Sequence, residues 1–193
     1  VIAGGLSVGI GFGMQTIVNN FLSGLILIFS RTLHEGDVID VGNLQGVVRK
    51  ISVRATTVET FDNAIIFVPN SEFVSNRLIN WTRNGRIVRR EVAIGVAYGT
   101  DPKLVERLLV EVAQSVPQIV RRPQPFVLFM DFADSTLNFV LRYWSDIGTA
   151  TDAASAIRHR IVEVFAEHQV EIAFPQLDVH VIPQTPSLTR AEG

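Results

Sequence analysis

The sequence has 193 residues, a net charge of −2 at neutral pH and no cysteine. A chain of this length forms one or two domains, and without cysteine it has neither a disulfide framework nor a thiolate metal site. The near-neutral charge gives no reason to expect nucleic acid or a strongly acidic partner.

The opening segment, residues 1–30, has no charged side chain, and its glycines recur at helical rather than loop spacing. At about 100° per residue, two stripes of small residues flank a narrow strip. One stripe contains Gly5, Gly9, Gly13 and Thr16, and the other contains Gly4, Ser7 and Gly11. The strip between them holds Val1, Val8, Phe12, Gln15 and Asn19. Small residues let helices approach closely in lipid, so we predict a membrane helix that contacts identical copies on both sides and turns the strip towards a pore.

Other interpretations of this segment remain open at the sequence level. A glycine-rich apolar run also fits a buried helical hairpin or one packed span of a transporter bundle. Residues 5–9 match the nucleophile elbow of hydrolases, and the alternating Gly9, Gly11 and Gly13 partly match a dinucleotide fingerprint. Both motifs need a preceding strand, and because the surrounding pattern is helical we reject both.

The length of the segment predicts a bend. Thirty residues make a straight helix of about 45 Å, longer than the roughly 30 Å hydrocarbon core of a bilayer. We therefore expect a bend near Thr16, Asn19–Asn20 or Gly24, or a second half that lies along the interface. Arg31 is the first charge, and we expect it to anchor the helix end, with the following basic residues on the cytoplasmic side. Since Val1 already lies within the helix, we expect further residues upstream.

The hydrophobic period changes to two from Val38 onward. Strands are predicted at 38–41, 47–53, 55–61 and 64–68, with turns at 42–46 and 62–63. Short strands with tight turns favour a small barrel or an open sheet. A short helix is predicted over 72–77, capped by Ser71.

A second alternating region follows from Arg86. Strands are predicted at 86–97, 126–132, 137–144, 170–173 and 177–182, with helices beginning at Asp101 and at Thr151 or Asp152. The order β-α-β-β-α-β is that of the split βαβ layout. We divide the chain into a helix at 1–32, a β-domain at 33–90, an α/β domain at 91–182 and a tail or closing barrel strand at 183–193.

Several motifs in fixed order accompany the glycine-rich helix. They are Phe67-Val68-Pro69-Asn70, Ile79-Asn80-Trp81, Gly95-Val96-Ala97-Tyr98-Gly99 and Pro175-Gln176-Leu177-Asp178-Val179. Together they resemble the small-conductance mechanosensitive channel (MscS) family over essentially the whole chain. The runs at 11–15 and 54–57 look most like its large potassium-dependent branch.

This resemblance implies a fold and a function. The fold is a membrane α-helix followed by an α+β cytoplasmic region, with a small Sm-like β-barrel and a ferredoxin-like domain. The assembly is a homoheptamer in the bacterial inner membrane, multi-pass, with residues after about 31 cytoplasmic. Membrane tension opens it to ions and small solutes on osmotic downshock. The gate positions fall on Val8 and Phe12. Thr16 stands where the best-known member bends at glycine, and His34 replaces a basic residue.

One rival function stays open beside the channel. A cytoplasmic ligand-sensing or binding module attached to a packed transporter span would use the same elements. The four histidines lack metal-like spacing, and aspartates at strand ends are common in turns. We therefore predict no enzyme, no cofactor and no metal, with membrane lipid and further copies of this chain as partners.

Overall fold

A computed structural model describes residues 2–177, with only the backbone given for residues 2–8. The opening helix, α1, spans Ile2–Ser30 as one uninterrupted element, which confirms the long helix predicted from the uncharged segment. Val1 lies outside the described residues. The helix is followed by two β-rich units, as the change of hydrophobic period predicts.

The first unit is a five-stranded antiparallel sheet. Its strands are β1 (Val38–Val41), β2 (Leu44–Ile51), β3 (Ala55–Glu59), β4 (Ile65–Pro69) and β5 (Leu78–Asn80), and their order in space is β4-β3-β2-β1-β5. Gly42, at φ +61°, makes the tight turn between β1 and β2, and glycine adopts that left-handed conformation without steric cost. The turn is shorter than predicted, because residues 44–46 already belong to β2.

Two local predictions in this unit are wrong. The short helix, α2, spans Asn70–Ser75 rather than 72–77, and no side chain caps its start. Strand β5 was not predicted. It has only three residues, too few to show a period, and it forms because β1 offers a free edge on the side away from β2.

The second unit is an α/β domain. Its elements are β6 (Ile87–Val96), α3 (Pro102–Ser115), β7 (Phe126–Phe132), β8 (Leu137–Asp146) and α4 (Ala150–Glu167). The strand order is β6-β8-β7, and an antiparallel bridge joins Ile172 to Val96 on the outer edge of β6. The fourth strand of the split βαβ layout therefore lies beside the first. It is one bridge rather than the predicted strand at 170–173, and most of the predicted strand at 177–182 lies outside the described residues.

The helix caps of this domain follow the prediction at one helix only. Asp101 accepts a hydrogen bond from the Lys103 amide at 3.0 Å at the start of α3, as predicted. Helix α4 begins at Ala150, directly after a 3-10 turn, so neither Thr151 nor Asp152 is its cap. The Asp146 carboxylate closes the preceding turn by accepting from the Gly148 amide at 2.8 Å.

Each unit has its own apolar core. In the α/β domain, alternate side chains of β8 are buried under α3 and α4. The core of the β-domain contains residues of β1 to β4 and α2, and also Leu27 of α1 and Leu33 just after it. The second half of α1 is therefore built into the β-domain.

Candidate pore helix and its anchorage

The predicted pore strip is an exposed face of α1. Phe12 is 74% exposed, and Gln15 and Asn19 are exposed beside it. Together they border a shallow open groove along the helix. Val8 is part of the same helix, but its side chain, like that of Ser7, is outside the described part. The strip carries no charge, so its surface consists only of apolar and neutral polar groups.

The helix has the length and composition of a membrane span. Residues Gly9–Ser30 are long and apolar enough to cross a bilayer, by those two criteria alone. Large apolar side chains on its outer surface, including Ile10, Met14 and Ile17, remain exposed in the protomer. Exposed apolar surface of this extent marks a site that contacts lipid or another protein.

The small residues of the two stripes have no packing role within the protomer where side-chain space is described. A Cβ atom built at Gly9, Gly11 or Gly13 would meet nothing within 4 Å. Gly4 and Gly5 lie in the part of α1 for which only the backbone is described. The absence of a side chain at Gly9, Gly11 and Gly13 is therefore not required by any contact within the described part of the protomer.

Gly24 has the opposite environment. A Cβ there would collide with the carbonyl oxygen of Val53 and would lie 2.5 Å from Asn70 Nδ2. Only a residue without a side chain lets α1 approach the turn between β2 and β3 this closely. Gly24, predicted as a bend or interface position, is thus the point of tightest contact between the helix and the β-domain.

A buried polar network supports that contact. Asn70 and Thr56 are both fully buried. Thr56 Oγ1 donates to Asn70 Oδ1 at 2.8 Å, and Asn70 Nδ2 donates to the Ser52 carbonyl at 2.9 Å. Because buried polar groups are costly when unpaired, these bonds hold Asn70 in one position against Gly24.

Asn20 links the helix to α2. Its Oδ1 accepts from the Ser71 amide at 3.0 Å, and its Nδ2 donates to the Thr16 carbonyl at 3.0 Å. Ser71 was predicted to cap α2 with its side chain. Instead, its amide is satisfied by a residue far away in the sequence. Thr16 and Asn20 also border a cleft towards Arg54 and Phe67.

The helix ends in a left-handed residue. Arg31 has φ +50°, and its carbonyl accepts from Arg83 NH1 at 2.7 Å. Leu33, two residues later, is buried in the β-domain core. Arg31 thus ends the helix, with its own side chain exposed and its backbone held by the β-domain.

Two ion pairs outside the helix are the clearest electrostatic features. The hydrogen bond from Arg49, at 2.6 Å, lowers the pKa of the Glu59 carboxyl. Arg86 forms a two-pronged pair with Asp146, at 2.9 and 3.1 Å, which lowers the pKa of the Asp146 carboxyl, with help from the Gly148 amide. Both pairs are largely exposed, so they fix local geometry more than they stabilise the fold.

Sequence reasoning missed several residues that position α1. Ser23 and Leu27 are buried, although the helical pattern did not single them out as contact residues. Their spacing with Asn20 and Gly24, three or four residues apart, marks one helix face and is the signal that was available. The pore strip and this anchoring face are different faces of the same helix.

Two family models match the chain. Residues 16–83 match "Mechanosensitive ion channel, beta-domain", and residues 91–172 match "Mechanosensitive ion channel MscS, C-terminal". An uncharacterized MscS family protein of Haemophilus influenzae is 45% identical over 91% of this chain, and the mechanosensitive channel MscK of Escherichia coli is 39% identical over 93%. This chain spans only 16% of the length of each of these two relatives.

A solved structure has the same fold over nearly the whole chain. The closed-state crystal structure of Helicobacter pylori MscS superimposes with a TM-score of 0.87 at 26% identity, covering 95% of this chain and 72% of that one. Arabidopsis thaliana MSL1 superimposes with a TM-score of 0.73 at 20% identity, which shows likeness of fold alone.

Proposed function

This chain belongs to the MscS family of mechanosensitive channels, and on that premise we propose that it is the pore-forming part of a tension-gated channel. One observation carries the proposal. A membrane-length helix presents an exposed, uncharged strip, while its second half is fixed in a folded β-domain. A helix held in this way can line a pore and follow movements of the domain beneath it.

We propose Val8 and Phe12 as the gate. Rings of these residues would form an apolar constriction, and a narrow apolar constriction blocks ions by excluding water. Val1, Gln15 and Asn19 would line the rest of the pore. The exposure of Phe12 in the protomer supports this assignment. Because the strip is neutral, we expect weak selection among ions and small solutes.

The assembly that fits this gate is a ring of identical chains, a homoheptamer by its resemblance to the family. The helix contacts would run along the small-residue stripes. They comprise Gly4, Gly5, Ser7, Gly9, Gly11 and Gly13. The empty space beside Gly9, Gly11 and Gly13 supports this arrangement, because it leaves room for a neighbouring helix.

The units of the chain would then have separate roles in a bacterial inner membrane. Residues 1–32 would form the pore helix, with its second half along the membrane interface. Further membrane-spanning helices would precede it in the longer protein. Residues 33–90 and 91–182 would form a cytoplasmic vestibule, closed by a barrel strand or tail at 183–193. Arg31 would lie at the cytoplasmic membrane surface, where basic residues are favoured.

Tension would act by shifting populations. The open state occupies more membrane area, so tension does more work on it and raises its share. The likeness to a closed-state structure supports taking the described conformation as the closed one. The glycine stripes would let neighbouring helices slide between the two packings.

Single-channel recording tests this function directly. Full-length protein reconstituted into liposomes should give currents under suction and none at rest. Gly9→Leu should shift the opening tension, since leucine fills the space beside the stripe. Ile26→Leu, an exposed position on the same helix, is the matched control and should leave it unchanged. Absence of suction-evoked current from correctly folded protein would favour the ligand-sensing module instead.

A further inference from the structure

The junction between α1 and the β-domain contains a histidine in an unusual position. Arg83, in the segment after β5, directs NH1 at two acceptors from the end of α1. The Arg31 carbonyl lies at 2.7 Å, and His34 Nδ1 lies at 3.0 Å. Through this guanidinium, the β-domain holds both the last turn of the helix and the loop that follows it.

The contact with Arg83 suits one form of the His34 ring. A guanidinium has only donors, so this hydrogen bond needs Nδ1 as its acceptor, which a neutral imidazole with its proton on Nε2 supplies. Protonation places an N–H on Nδ1, facing the N–H of Arg83, and brings two positive charges together. The hydrogen bond is then lost and replaced by repulsion.

A counter-ion for protonated His34 is already present. Asp37 Oδ2 lies 3.8 Å from His34 Nδ1 and accepts from the His34 amide at 2.8 Å. The same carboxylate is held by Asn80 Nδ2 at 2.7 Å and Thr82 Oγ1 at 3.3 Å. Asp37 is therefore fixed in place, and the imidazole needs to move by only about an ångström to form an ion pair within hydrogen-bond distance.

The other charged groups near the junction do not replace these partners. Glu35 accepts from the Ile51 amide at 3.4 Å, and Arg49 of β2 is paired with Glu59. Lys50 and Arg31 are exposed to solvent. Among residues 2–177, Arg83 and Asp37 are thus the charged side chains that lie within 4 Å of His34 Nδ1, and they favour opposite protonation states.

We propose that His34 is a proton-operated latch between the pore helix and the β-domain. Neutral His34 holds Arg83 against the end of α1, and protonated His34 releases Arg83 and pairs with Asp37. The effect on gating rests on the proposed channel function. Since we take the described conformation as the closed one, releasing this contact would destabilise the closed state, and acid on the cytoplasmic side would lower the opening tension.

Hydrogen exchange tests the latch without requiring conduction. Amides of residues 31–38 are followed in detergent-solubilised full-length protein at about pH 7.5 and about pH 5.5, on either side of the range where histidine ordinarily titrates. Rates are normalised to the intrinsic exchange at each pH. We expect protection to fall several-fold on acidification in wild type and to stay constant in His34→Gln, whose amide oxygen remains a neutral acceptor.

Two further variants complete this design. Arg83→Gln removes the charged donor and should give the low-protection state at both pH values. His159→Gln, at an exposed histidine on α4, should respond to pH like wild type. Wild-type protection that does not change with pH, or a change that persists in His34→Gln, would overturn the latch.

Patch recordings then test its role in gating. In excised inside-out patches, acid on the cytoplasmic face should lower the opening tension of wild type but not of His34→Gln, and His34→Arg should open at low tension at both pH values. A pH-independent threshold in wild type refutes the effect on gating. If no variant conducts, the channel function fails, while the exchange experiment still decides whether the latch exists.

Discussion

Replacing Gly24 by alanine tests the contact between α1 and the β-domain most directly. The new methyl group would collide with the Val53 carbonyl oxygen and lie 2.5 Å from Asn70 Nδ2. Neither group can move aside easily, because one belongs to the backbone and the other is held by a hydrogen bond to Ser52. The helix must therefore move away from the β-domain.

Two opposing effects determine how much Gly24→Ala changes the free energy of this contact. Alanine stabilises a helix by about 1 kcal/mol relative to glycine, whereas overpacking of a close contact costs about 1–3 kcal/mol. Gly13→Ala is the control for helix propensity, because nothing inside the protomer lies within 4 Å of its added methyl group, and its proposed contact with a neighbouring helix lies away from the contact of Gly24 with the β-domain. The difference between the two variants removes the propensity effect and leaves about 1–3 kcal/mol, or roughly a 5- to 150-fold change in local opening.

Hydrogen exchange at the contact is the appropriate assay, because it reports local opening and does not require a chain of two folded units to unfold in two states. The Ser71 amide donates to Asn20 and the Asn70 amide donates to the Arg54 carbonyl, so both report on the contact. Both should exchange faster in Gly24→Ala than in Gly13→Ala. Equal protection in the two variants would refute the close approach of α1 to the β-domain.

Three further predictions concern the gate, the core and an ion pair. Phe12→Asn should hydrate the constriction and give current at rest in patch recordings; a channel that stays closed with normal tension sensitivity would remove Phe12 from the gate. Leu27→Ala, at a side chain only 3% exposed, should lower the local stability of the β-domain core by about 2–5 kcal/mol, measured by hydrogen exchange of the β1 and β4 amides, whereas Ile26→Ala, at 52% exposure, should have little effect in the same experiment. The Asp146 carboxyl has a lowered pKa because of Arg86, so its contribution to stability is present above the unfolded-state pKa of about 4 and is lost as the pH falls through the lower folded-state value. Melting curves between about pH 7 and pH 3 should therefore show a smaller acid loss in Asp146→Asn than in wild type, and equal losses would contradict the pairing.

The sequence predicts those parts of the fold that depend on period and length. The uncharged run predicts α1, and alternation predicts the long strands β6 and β8, because both patterns repeat over many residues. Asp101 is predicted as a cap because capping is a local interaction. Strand β5 is not predicted because its three residues are too few to show a period and their pairing depends on the distant strand β1.

Helix α1 also has features that the sequence predicts and features that it does not. Its exposed strip follows from helical geometry alone. Its anchoring face does not, because the partners of Asn20 and Gly24 come from Ser71 and Val53, far along the chain. The contact between Arg83 and His34 likewise depends on how the segment after β5 returns to the end of α1, which no local pattern specifies.

The position of β5 beside β1 has a mechanical consequence. The chain enters the β-domain at the start of β1 and leaves it at the end of β5, and these strands are antiparallel, with Ile39 opposite Asn80. A pull between α1 and the α/β domain therefore acts at one end of this strand pair, and it would open the hydrogen bonds one after another rather than shear them together. The backbone bond nearest that end joins the Trp81 amide to the Val38 carbonyl at 2.9 Å, and beyond it Arg83 NH1 donates to the Arg31 carbonyl at 2.7 Å. A pull through α1 would also load the contacts that Asn20 and Gly24 make with the β-domain, so the β1–β5 pair would open from this end once those contacts have separated.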